Sequence, residues 1–146
     1  MRLISHRGNV NGKNLDRENH PDYLLEAIKQ GFEVELDVWR ESGYTYLGHD
    51  GPQYRVDQEF LERPEFWCHA KNLSALEFLS NTNCNYFWHQ TDDYTLTSKG
   101  FIWTFPGKQL GVNSIAVLPE NYPNWDLSLA VGICSDRIGD YGKSTR

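Results

Sequence analysis

Short apolar runs separated by polar, Gly- and Pro-marked segments recur along the whole chain, and they show two periodicities. Runs at 2–6, 33–38, 66–71, 85–89, 101–105, 114–118 and 131–134 have the length and composition of strands, and 44–48 reads as a hairpin arm behind the second. Between the first two runs, Asn19 offers a helix cap and Pro21 takes an early helical position. Tyr23, Leu24, Ala27 and Ile28 then repeat at helical spacing until Gly31. Residues 73–79 predict a second helix directly after the third run. Strands alternating with helices predict parallel βαβ units, and therefore an α/β sheet or barrel.

The second run carries the sharpest pattern. Alternation places Val34, Leu36 and Val38 on one face and Glu33, Glu35 and Asp37 on the other. An exposed edge strand would explain an acidic face by solvation. The third run repeats the division, with Phe66, Cys68 and Ala70 opposite Trp67, His69 and Lys71. Two such strands together predict a barrel, its hydrophobes packed outward against helices and its ionisable groups gathered at the carboxyl-terminal mouth.

With 146 residues, 39% of them hydrophobic and 14% aromatic, the chain suits one domain over 1–146 with a real core. The net charge of −6 argues against a nucleic-acid binder, whose affinity rests on Lys and Arg neutralising phosphates. A small anionic substrate remains compatible, through a metal and a few cations. Cys68, Cys84 and Cys134 lack metal-site spacing, lie in or beside apolar runs, and fit reduced thiols in a reducing compartment. The first residues reach a second cation before any apolar stretch, and no run approaches the ~18 residues of a membrane span. The expectation is a soluble, cytoplasmic protein without a signal peptide or membrane span.

Four motifs follow one another in the first fifty residues: His6-Arg7-Gly8 at the end of the first strand, Glu18-Asn19 before the first helix, Glu35-Leu36-Asp37, and Gly48-His49-Asp50. In order and spacing they resemble the glycerophosphodiester phosphodiesterase family and the wider phospholipase C-like barrel superfamily. The resemblance is densest over 1–71 and returns faintly at Trp103-Thr104 and at Gly132-Ile133-Cys134-Ser135-Asp136. It implies a metal-dependent hydrolase of glycerophosphodiesters, a small substrate of lipid metabolism, acting through a cyclic phosphate. His6 and His49 would be its acid–base pair, suited by imidazole pKa values near ~6.5. Glu35 and Asp37, two apart on a strand, offer hard oxygens to Mg²⁺ or Ca²⁺. Arg7 and Lys71 would contact phosphate oxygens. Glu18 would tie down Arg7 or join the metal shell, and Asn19 and Asp50 would support the site.

Two features depart from the family pattern. An acidic residue usually stands two before the lysine of the third strand, and here that position is His69. An imidazole ligand would lower Mg²⁺ affinity and favour Mn²⁺ or Zn²⁺. A barrel of this kind also needs ~250 residues and seldom fewer than ~200. The expected fold is therefore a compact, trimmed TIM-type (β/α) barrel with several outer helices missing. Trp88, Tyr94, Phe101, Trp103 and Phe105 would plug the gap, and a second copy of the chain could cover it in a homodimer. His89 and the carboxylates Asp92, Asp93 and Asp136 stand in reserve near the mouth. The alternatives are a catalytically weak or inactive barrel that binds a phosphate-containing ligand, and an interaction domain whose acidic strand face is simply solvated.

Overall fold

The computed structural model of the chain describes residues 1–144. Ten strands form one mixed sheet, and three helices accompany it. The strands are β1 (Arg2–His6), β2 (Glu33–Glu41), β3 (Tyr44–Leu47), β4 (Tyr54–Val56) and β5 (Phe66–Ala70), followed by β6 (Asn85–Phe87), β7 (Tyr94–Leu96), β8 (Ile102–Thr104), β9 (Ser114–Val117) and β10 (Ala130–Ser135). The helices are α1 (Pro21–Lys29), α2 (Leu73–Ser80) and α3 (Ile138–Ser144).

Seven strands run parallel in the order β6-β5-β2-β1-β10-β9-β8. The β3–β4 hairpin extends from the second half of β2, and β7 turns back antiparallel on β8. Ring contacts reveal the curvature. Trp67 on β5 lies 5.8 Å from Trp103 on β8, and Phe87 on β6 lies 4.6 Å from the same indole, although these strands stand far apart in the sheet. The sheet is curled into a half-barrel, and aromatic rings, with no ladder among the described residues, link β6 to β8 inside it.

This corrects the expected TIM-type (β/α) barrel. Among the described residues α-helices follow only β1, β5 and β10, a 3-10 helix (Gln58–Glu62) follows β4, and β6 through β10 are joined by loops, β7 and a single 3-10 turn at Pro119–Asn121. The connections are too short and too polar to form a covering helix after each strand. On that side Leu110, Trp125 and Leu127, all from loops, pack over Ala116 and Ala130 instead. Of the aromatics expected to fill the gap, Trp103 is buried and Phe101 packs beside it. Trp88, just past β6, and Tyr94, on the edge strand β7, are exposed.

Alternation divides the core as the pleat requires. Val34, Leu36, Val38, Phe66, Cys68 and Ala70 face outward into the larger cluster with Leu24, Ala27, Ala75 and Leu79 of α1 and α2. Ile4, Trp67, Phe87, Trp103, Ile115 and Cys134 fill the concave side. Burying a large apolar side chain contributes about 1.5–3 kcal/mol. The outward cluster therefore fixes the register of β2 and β5, and the register turns Glu35, Asp37 and His69 inward.

Candidate active site

At the carboxyl ends of β1, β2 and β5 the parallel register pairs His6 with Glu35 and Asp37 with His69. These side chains converge on the concave side, where a cavity of about 480 Å³ is lined by His6, Arg7, Glu35, His49, His69 and Lys71. Its opposite wall comes from the later strands and loops, including His89, Trp103, Phe105 and Leu118.

Glu35, Asp37 and His69 each offer one ligand atom, and the three atoms lie within 4.8 Å of one another. Nδ1 of His69 is 3.3 Å from Asp37 Oδ1 and 3.6 Å from Glu35 Oε2. Its Nε2 donates to the His89 carbonyl at 2.8 Å, which fixes the tautomer and leaves Nδ1 directed at the carboxylates. Phe87 stacks on the ring at 4.8 Å. Burial pulls the His69 pKa down, but Asp37 and Glu35 outweigh it and raise it to about 9. For Asp37 burial acts upward, and the His69 contact, the Arg7 charge and Asn19 together hold the carboxyl below the usual range. Glu35 Oε1 and Asp37 Oδ1 are buried without a well-formed hydrogen bond, Oδ1 having only the 3.3 Å ion-pair contact with His69 Nδ1. Two orphaned carboxylate oxygens beside an oriented imidazole nitrogen fit a divalent cation.

Arg7 and Asn19 build the wall behind these acids. Both adopt left-handed backbone, with φ of 59° and 67°. The Arg7 amide donates to the Glu35 carbonyl, and the Asn19 amide donates to the Arg7 carbonyl. The Asn19 side chain accepts from the Asp37 amide and donates to Asp37 Oδ2, both at 2.9 Å. It does not cap α1; that role falls to His20, whose ring accepts from the Asp22 amide. Arg7 lies 3.2 Å from Asp37 and 3.3 Å from Glu18. Its guanidinium is thus tied to two carboxylates while still bordering the cavity.

His6 donates from Nδ1 to Asp136 Oδ1 at 2.7 Å, which leaves Nε2 on the side of Glu35, 3.9 Å away. Burial lowers the His6 pKa, and the Asp136 bond and the Glu35 charge more than offset that, leaving it raised. Asp136 is held in turn by the Asn9 amide group and, through its own backbone N–H, by Glu120. Asn9 also donates to Glu18, so one side chain links the His6 and Arg7 supports. Asn9 and Glu120 carry no signal in a strand pattern. Their place follows from β10 lying beside β1, a contact between residues 130 positions apart in the case of His6 and Asp136.

His49 stands apart from this buried group. It sits in the turn after β3, 44% exposed at its side chain, and bonds Asp50 at 2.6 Å. The turn is anchored by Trp39, whose indole donates to the Gly48 carbonyl. Position 48 admits no Cβ, because one would overlap the Gly51 carbonyl oxygen. Lys71 continues β5, its amide donating to the Val38 carbonyl. His89 borders the cavity, and its ring bonds the Asp92 carbonyl. Asp93 instead lies 3.7 Å from the Lys108 ammonium.

Among the described residues no helix is long and apolar enough to cross a membrane. No family model, curated protein or solved structure matches the chain.

Proposed function

We propose that the chain is a metal-dependent phosphodiester hydrolase that acts on glycerophosphodiester-like substrates through His6 and His49. The observation that carries this reading is the single cavity bordered by His6, His49, Lys71, Glu35 and His69 at the ends of parallel strands. Glu35, Asp37 and His69 would hold the cation, with Mg²⁺ or Ca²⁺ favoured by the carboxylates and Mn²⁺ or Zn²⁺ by the imidazole. Such an ion supplies neutralising charge to the nonbridging phosphate oxygens.

The chain's own groups divide the remaining work. Asp136 keeps a proton on His6 Nδ1, so a neutral His6 presents Nε2 as a base to the attacking hydroxyl. His49, whose Nδ1 lies 2.6 Å from the exposed Asp50 carboxylate, would donate a proton to the departing alkoxide. Lys71 brings a cation to the wall beside the phosphate position. Arg7, engaged by Asp37 and Glu18, keeps the carboxylates in place.

The test is turnover of glycerophosphocholine and of a chromogenic phosphodiester with Mg²⁺, Ca²⁺, Mn²⁺ or Zn²⁺ added to metal-stripped protein. Metal-dependent hydrolysis that drops by about 100-fold or more in His6→Ala and His49→Ala is expected. Equal rates in all three proteins would discard the assignment. A second reading, phosphodiester binding with little or no turnover, is favoured by the exposure of His49 and Asp50, which leaves the second proton-transfer group weakly confined. Calorimetric binding without hydrolysis under any of the four ions would select it.

A further inference from the structure

The amino ends of the strands hold polar chemistry that the hydrolase reading does not use. There, at the end of the sheet opposite the candidate active site, lies a cavity of about 870 Å³ bordered by Arg2, Glu33, Arg63, Asn85, Lys99 and Phe101. Its volume falls in the range of small-molecule sites. Hydrogen bonds tie its walls to one another. In the turn between β7 and β8, the Ser98 amide donates to the Tyr86 carbonyl, while its hydroxyl accepts from the Tyr86 amide and donates to the Cys84 carbonyl. The Cys84 thiol donates to the Leu61 carbonyl, which joins the same wall to the 3-10 helix that leads into Arg63. The turn carrying Lys99 and the segment carrying Arg63 are thereby held against the start of β6, so the cavity is preformed.

We infer that this cavity binds a phosphorylated sugar or polyol, with the phosphate on Arg2, Arg63 and Lys99 and a hydroxyl on Asn85. Arg2 is fixed in place by the protein itself. Its Nη1 donates to Glu33 Oε1 at 2.8 Å, the Trp67 indole donates to the same oxygen at 3.1 Å, and the guanidinium lies 4.9 Å from the centre of the Phe101 ring. The bond to Glu33 uses one of five N–H donors, and the rest of the fork has no partner among the described residues. A guanidinium held this way meets an oxyanion without the ordering cost of a free side chain.

Charge and hydrogen-bonding capacity together select the ligand. The chain as a whole carries −6, yet three cations border this one cavity. Of the two carboxylates beside them, Glu33 is already committed to Arg2 and Trp67, and Arg63 and Lys99 form no ion pair among the described residues. Two uncommitted cations and a preset guanidinium suit a phosphate monoester, which carries close to two negative charges at neutral pH. Asn85 Oδ1 is buried and accepts no hydrogen bond. A phosphate-monoester dianion has no proton to offer that oxygen, whereas a hydroxyl has one. The ligand must therefore bring an O–H group along with its anion.

The experiment is titration of the metal-stripped, full chain with ribose 5-phosphate, inorganic phosphate and ribose at low ionic strength. Calorimetry measures affinity, and the indole N–H resonance of Trp67, which shares the Glu33 carboxylate with Arg2, reports the place of binding. The expected result is one site that takes ribose 5-phosphate more tightly than phosphate and does not take ribose, with the Trp67 resonance moving over the same concentrations. Arg63→Ala and Lys99→Ala change exposed side chains, should keep their urea midpoints, and should each raise Kd by about tenfold or more. Asn85→Ala should weaken ribose 5-phosphate and leave inorganic phosphate unchanged. Lys71→Ala, in the other cavity, should alter neither. Lack of saturable binding at millimolar ribose 5-phosphate, phosphate binding as tight as the sugar phosphate, or binding lost in Lys71→Ala and kept in Arg63→Ala would overturn the inference. No metal and no turnover enter these readouts, so they stand or fall apart from the hydrolase reading.

Discussion

His69 Nδ1 lies 3.3 Å from Asp37 Oδ1 while its Nε2 is bound to a backbone carbonyl, so a proton and a cation compete for one nitrogen. In metal-free protein the proton wins at neutral pH, since Asp37 and Glu35 raise the pKa to about 9. Binding a cation there must displace it. Apparent affinity should therefore rise with pH by about tenfold per unit from neutrality and level off near pH ~9. Calorimetry in buffers of different ionisation enthalpy should register the released proton. A pH-independent affinity would place the ion elsewhere. His69→Asp should flatten this dependence and shift preference toward Mg²⁺ and Ca²⁺, because it exchanges a titrating nitrogen for a hard anionic oxygen.

Stability of the metal-free protein should also follow these groups. His69 is raised in the folded state, so its contribution is complete below the unfolded value of ~6.5 and is lost as pH climbs through about 9. His6, also raised, has the same sign. Asp37 and Asp136 are lowered, so their contributions are complete above ~4 and are lost in acid. Maximum stability is expected between pH ~4 and ~6.5, with about 3 kcal/mol lost on the alkaline side through His69. Urea midpoints across pH will measure it, and the alkaline decline should shrink in His69→Gln.

Asn19 is the clearest structural test. Its side chain satisfies both the amide and one carboxylate oxygen of fully buried Asp37, from a left-handed backbone position. Asn19→Ala leaves the Asp37 amide unpaired, leaves Asp37 Oδ2 only its Arg7 contact, and adds backbone strain, a loss of about 2–4 kcal/mol. Asn19→Gly should recover about 1 kcal/mol of that by relieving the strain alone. Equal urea midpoints for Ala and Gly would show that the backbone conformation costs nothing here.

Asp136→Asn probes His6. Removing the negative partner takes away an interaction that raises the His6 pKa, so the acid limb of the rate–pH profile should move to lower pH. The maximal rate should fall by about 10²-fold or more as the ring loses its fixed tautomer. An unmoved acid limb would mean that His6 is not the group titrating in it.

Much of this arrangement was readable from the chain. Seven runs of strand character became β1, β2, β5, β6, β8, β9 and β10, and 44–48 supplied β3. Two short edge elements, β4 and β7, and the terminal helix α3 were not foreseen. β4 and β7 have three residues each, too few for alternation to register, and neither is buried on both faces. The helical cap was misplaced by one residue because Asn19 suits a cap as well as it suits the left-handed turn it occupies. The need for it at Asp37 arises from a residue 18 positions away.

What the sequence by itself determined is local: which residues alternate, hence that Glu35, Asp37 and His69 leave the sheet on the face opposite Val34, Leu36, Val38 and Cys68. Period-2 geometry makes that outcome independent of what surrounds the strands. Only the tertiary structure decided that the sheet would curl without a full ring of helices, that β10 would carry Asp136 to His6, and that the His89 carbonyl would orient His69. These depend on contacts between distant segments. Such contacts are settled by how the aromatic interior and the outer apolar cluster pack together, which no pattern within a single run encodes.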